Sequence, residues 1–126
     1  MNFNKPYKKI LLIILLLSPA LSFADQDEAE WTNTLKNQYF SGRAIEESST
    51  IIELDAPVRA EDPALVPLKI NTKIKQMKDS YIKKILVLVD KNPFPYVGEF
   101  EFNPDSGKAD LAMRIRVNTY SYIRAI

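Results

Sequence analysis

The residues that could do chemistry are few, and their spacing limits them further. Glu99 and Glu101 are two apart in an alternating stretch, so their carboxylates share one face of a strand and could act as an acid–base pair. Phe100 and Phe102 alternate with them, which makes a wetted outer face the simpler account. Glu61 and Asp62 offer oxygens for calcium, but no further ligands follow at loop spacing, so a solvated turn fits better. Lys73, Lys75, Lys78, Lys83 and Lys84 gather before one apolar run and could attract an anion or an acidic partner; lysine-rich loops more often only solubilise. Arg114 and Arg116 share a strand face, and Arg124 can stand beside them as an oxyanion site. Cross-strand salt bridges to Glu99 and Glu101 explain them equally well. Tyr120 and Tyr122 suit either an interface or a half-wet sheet surface.

The missing residue types are as informative. With no Cys there is no thiolate, disulfide or cysteine zinc site, and with no His the commonest general base and metal ligand are absent. Three glycines leave no glycine-rich phosphate loop. No catalytic, cofactor-binding or metal-binding residue is assigned, no cofactor is expected, and the chain reads as a non-enzyme. Lys and Arg number 17 against 16 Asp and Glu, which argues against nucleic-acid binding through bulk charge.

The elements that position these residues begin after an address signal. Lys5, Lys8 and Lys9 precede the apolar run 10–17, and Ser22 and Ala24 supply small residues for cleavage after Ala24. Residues 1–24 therefore read as a Sec signal peptide, and Pro19 and the short apolar length oppose a retained membrane span. The expected location is the periplasm, with no stable membrane insertion after cleavage. Three of the 17 bases and none of the 16 acids lie in that segment, so the mature chain is slightly acidic.

Residues 25–48 read as a polar leader and one short helix. Trp31, Leu35 and Tyr39 share a helical face, Asp27, Glu28 and Glu30 favour its N-terminal end, and Ser41-Gly42 stops it. The helix is expected to pack across one end of the domain that follows. From Ser49 the period becomes two. Ile52, Leu54, Ala56 and Val58 mark a first strand that Pro57 assigns to an edge or bulge. Val66, Leu68 and Ile70 mark a second. The run 82–89 is a central strand, and 99–102, 110–117 and a stretch from Ser121 complete six. The fold expected for 49–126 is mainly β, an immunoglobulin-like antiparallel sandwich, one or two strands short of the usual seven.

Three stretches, 56–67 (APVRAEDPALVP), 90–95 (DKNPFP) and 114–117 leading into 122–125, together resemble the SoxY sulfur-carrier family, in particular the SoxYZ-like carriers associated with quinoprotein dehydrogenases. The resemblance implies a periplasmic, non-catalytic carrier domain of a sulfur or thiosulfate oxidation system. Its implied partners are a SoxZ-like domain or subunit and periplasmic sulfur-oxidation enzymes or a quinoprotein dehydrogenase. It also implies a carrier cysteine on a glycine-rich C-terminal arm, and residues 1–126 hold neither. The expectation is that the sequence represents the N-terminal part of such a carrier, cut short. The other reading is an exported β-sandwich adaptor or binding module for a periplasmic dehydrogenase, with no sulfur role.

Overall fold

The computed structural model describes residues 23–126, so the signal-peptide reading for residues 1–24 falls almost wholly outside them. Among the described residues, no helix is long and apolar enough to cross a membrane.

The chain enters through α1 (Phe23–Glu30), a π-helical turn (Trp31–Leu35) and α2 (Lys36–Phe40). The Lys36 N–H donates to the Trp31 carbonyl five residues back, which widens the helix at that point. Trp31 and Leu35 are both buried, as their four-residue spacing predicts. Ser41 and Gly42 then take left-handed backbone angles, φ 52° and 76°, and end the helix.

Six strands follow: β1 (Ile52–Asp55), β2 (Val66–Thr72), β3 (Lys84–Val89), β4 (Tyr96–Glu101), β5 (Leu111–Ile115) and β6 (Ile123–Ala125). They form two antiparallel sheets ordered β1-β2-β5 and β4-β3-β6. Their inner faces meet in one core of Val66, Leu68 and Ile70 from β2, Ile85, Val87 and Val89 from β3, and Ile115 from β5. The fold is the expected mainly β, immunoglobulin-like sandwich.

Strand β2 shows how alternation sets the layers. Val66, Leu68, Ile70 and Thr72 are buried, while Pro67, Lys69 and Asn71 face water. Pro67 lies in a central strand, where its missing N–H would normally break the ladder. The β1 pairing ends at Asp55 opposite Lys69, so Pro67 faces the side where β1 has already finished. Thr72 is the buried polar exception. Its N–H and hydroxyl both donate to Asp110 Oδ1, at 2.7 and 3.0 Å. That backbone N–H is the main reason the Asp110 carboxyl titrates below the ordinary range, with the Thr72 hydroxyl and Lys108 adding to it.

Strand β3 is apolar on both faces because both are covered. Ile85, Val87 and Val89 face the core, and Leu86 and Leu88 pack outward against Trp31 and Leu35. The N-terminal helix thus lies on the outer face of the β4-β3-β6 sheet, not across one end of the domain. Its Trp31–Leu35 stripe needs a flat apolar surface, and Leu86 and Leu88 are the outward apolar pair that supplies one.

A second departure concerns β4 and β5. The turn at Pro104–Ser106 does not make a hairpin, because β4 pairs with β3 and β5 pairs with β2. The chain changes sheet there.

Candidate functional site

Three connections converge at one end of the sandwich: 56–65 after β1, 90–95 after β3, and 116–122 after β5. These contain most of the stretches that carry the family resemblance. Each is shaped locally and then tied to the others.

Pro57 follows the end of β1. Asp62 closes its own turn, accepting the Ala64 N–H at 2.8 Å through Oδ1 and the Leu65 N–H at 3.1 Å through its carbonyl. The Pro63 carbonyl accepts the Val117 N–H at 2.8 Å, which joins the first connection to the third. Asn92 joins the second to the third. Its Nδ2 donates to the Arg116 carbonyl at 2.8 Å, and its Oδ1 accepts the Asn118 N–H at 3.0 Å. The Lys91 N–H donates to Ser121 Oγ at 2.9 Å beside it.

The joined loops frame an open groove of about 510 Å³, whose lining includes Pro57, Arg59, Ala60, Pro63, Val117 and Tyr120. Around it stand large apolar side chains in water: Val58 is 92% exposed, Phe94 85% and Tyr120 73%. Pro93 and Pro95 flank Phe94 and restrict its backbone. The pole is suited to contact with another protein, since it offers stiff apolar knobs rather than converging acids or bases. Among the described residues no cluster of three metal-ligating side chains occurs.

Behind this pole lies a buried ion pair. Asp90, the first residue after β3, is 2% exposed at its side chain. Arg124 Nε reaches both its oxygens, at 3.1 and 2.9 Å. The guanidinium lies 4.1 Å from the Trp31 ring centroid and 5.3 Å from that of Tyr122. Its Nη2 is buried without a hydrogen bond, 3.6 Å from Glu28 Oε2. Burial pushes the Asp90 carboxyl above its ordinary value, and Arg124 only partly pulls it back; Glu30 and Asp27 add to the rise. Lys91 pairs with Asp27 as Arg124 reaches Glu28, so two cations, one after β3 and one on β6, hold the helix by charge.

The other sequence candidates separate. Glu99 and Glu101 lie on the outer face of β4, where Lys84 Nζ meets Glu99 Oε1 at 2.8 Å. The hydrogen bond to Glu99 is the main cause of a raised Lys84 pKa. Arg114 projects from β5 opposite Pro67 in the other sheet, so the bridges from Arg114 and Arg116 to Glu99 and Glu101 do not form. Arg124 belongs to the second sheet and is taken by Asp90, so three guanidiniums never meet. Lys73 pairs with Glu53 at 3.2 Å while Lys84 pairs with Glu99, which divides the lysine group between the two sheets. Glu61 and Asp62 form the turn expected of them. Sequence reasoning missed the Asp90–Arg124 pair. Its one signal was an acid placed directly after five apolar residues, which a turn also explains.

The family model of sulfur oxidation protein SoxY matches residues 36–126. One solved structure that matches is the sulfur carrier protein SoxY from Chlorobium limicola f thiosulfatophilum, 23% identical, covering 78% of this chain and 94% of that one with a TM-score of 0.49. No curated protein matches. The matched span takes in all six strands and all three loops of the pole, and on that extent of match the chain belongs to the SoxY family.

Proposed function

We propose that this chain is the β-sandwich body of a periplasmic, non-catalytic sulfur carrier that acts through protein partners. The expected partners are a SoxZ-like domain or subunit and the enzymes of a sulfur-oxidation system, or a quinoprotein dehydrogenase. The observation that carries the reading is the family match over residues 36–126, whose distinctive stretches gather at one apolar pole. A carrier needs a body that partners can grip and a thiolate that holds cargo. Residues 1–126 provide the first and contain no cysteine for the second.

The lack of a thiol in this sequence favours one second reading, an exported adaptor for a periplasmic dehydrogenase with no sulfur role. The intact mass of the native periplasmic protein, with and without thiol alkylation, separates the two. A larger, alkylatable species that gains mass with thiosulfate and an oxidising partner supports the carrier. A mass matching residues 25–126, unchanged by alkylation, removes the carrier role and leaves the adaptor. Recovery of the unprocessed chain from the cytoplasm overturns both.

A further inference from the structure

The N-terminal helix and the sandwich meet through side chains. Among the described residues, no backbone hydrogen bond joins residues 23–48 to residues 52–126. The joint consists of Trp31 and Leu35 on Leu86 and Leu88, Tyr39 stacked on Tyr96 at 6.3 Å, and the pairing of Asp27 with Lys91 and Glu28 with Arg124. Its apolar contacts form a cluster of their own, and no helix residue belongs to the core between the sheets. The helix can therefore leave without breaking a strand ladder or opening that core.

The closed joint also holds polar groups that water would satisfy better. The Asp90 side chain is 2% exposed, and Arg124 Nη2 is buried without a hydrogen bond. Release of the helix hydrates both, which offsets part of the lost apolar burial. The joint ends in a free pivot. Ser41 and Gly42 hold left-handed angles, a Cβ built at Gly42 would meet no neighbour within 4 Å, and residues 43–48 belong to no helix or strand. The family match begins at residue 36, so the covering residues Asp27, Glu28, Trp31 and Leu35 precede it, while the surface they cover lies within it.

We propose that residues 23–40 form a hinged lid over the outer face of the β4-β3-β6 sheet, opening as a unit about Ser41-Gly42 while the sandwich stays folded. Opening bares Leu86 and Leu88 as an apolar patch that the closed form hides, with Lys91 and Arg124 released beside it. The device belongs to the fold and does not rest on the sulfur-carrier reading.

The lack of cysteine in the sequence allows a clean test. Val87 and Leu88 are both 0% exposed and lie on opposite faces of β3, one in the core and one under the lid. Val87→Cys and Leu88→Cys are made singly in the whole chain and alkylated with iodoacetamide under native conditions. Leu88→Cys should react roughly tenfold faster or more. Adding Lys91→Met removes the pair with Asp27 and should speed Leu88→Cys by about twofold to fivefold, leaving Val87→Cys unchanged. Amide exchange in the unaltered chain avoids any effect of the new thiols. The amides of residues 31–40 should share one level of protection, roughly tenfold or more below that of Val87. Equal alkylation of the two thiols, or exchange of residues 31–40 only together with Val87, overturns the proposal. So does protection that rises steadily from residue 31 to 40, which is fraying from one end and not a lid.

Discussion

Replacing Arg124 with Met tests how the helix is fastened to the sandwich. Met keeps much of the aliphatic volume but removes the charge that faces Asp90, which is 2% exposed. A buried carboxylate deprived of its partner costs about 3–5 kcal/mol, and loss of the stack on Trp31 adds about 0.5–2 kcal/mol. Against a typical domain stability of about 5–15 kcal/mol, that is a large share. With a urea m-value of about 2 kcal/mol/M, the midpoint should fall by roughly 2 M. Trp31 is the single tryptophan and lies 4.1 Å from the guanidinium, so its fluorescence reports the transition directly. The pH dependence is the sharper test. A carboxyl whose folded pKa is raised gives stability that is fully present at low pH and is lost as pH rises through the folded value. Removing Arg124 raises that value further, so the deficit of Arg124→Met should shrink by about 1.4 kcal/mol per pH unit as Asp90 takes its proton. Adding Asp90→Asn should recover most of the loss at neutral pH. A cost below about 1 kcal/mol, or one equal at pH 5 and pH 8, would refute a buried charge held by Arg124.

Asn92→Ala removes the two side-chain hydrogen bonds that Asn92 makes from the second loop of the pole to the third. It should cost about 1–3 kcal/mol and speed amide exchange at Asn118, both measurable by NMR and urea titration. Leu88→Ala opens a cavity between β3 and Trp31 at a residue with no exposure. A loss of about 2–5 kcal/mol is expected in chemical denaturation. Asp110→Asn acts on the opposite pH limb. The Asp110 carboxyl is held low in the folded state, so its contribution is present above the ordinary carboxylate range and lost as pH falls through the folded pKa. The variant should therefore show a flatter loss of stability on acidification than the parent.

Much of the sandwich was legible because its elements obey short-range rules. Alternation in 66–72 and the apolar run of 85–89 carry their own periods, and Ser41-Gly42 punctuates the helix. What the sequence does not carry is pairing between distant strands. Glu99 and Arg114 are close in the chain with a turn between them, and only the sheet change after β4 separates them. The helix docking face was hidden for a similar reason. Leu86 and Leu88 look like core residues, and nothing local distinguishes a second face buried by a helix from one buried by a sheet. The pole was half legible. Its turn residues stand out, but the Asn92 bridge depends on partners 24 and 26 residues further along the chain.

The alternation of the chain between sheets also sets when the molecule can become stable. The two central strands, β2 and β3, each gain a second neighbour only from residues 111–126, as β5 and β6. Before those residues are present, the earlier part of the chain has two open pairs, β1-β2 and β3-β4, with one flank of each central strand bare. Isolated two-stranded units are marginal in water, so they provide little on which to nucleate early. Closure is late and depends on contacts between segments far apart in sequence, which makes folding slow. Should the chain be exported as proposed, that delay would keep the polypeptide threadable until it had crossed, and folding would then complete on the far side.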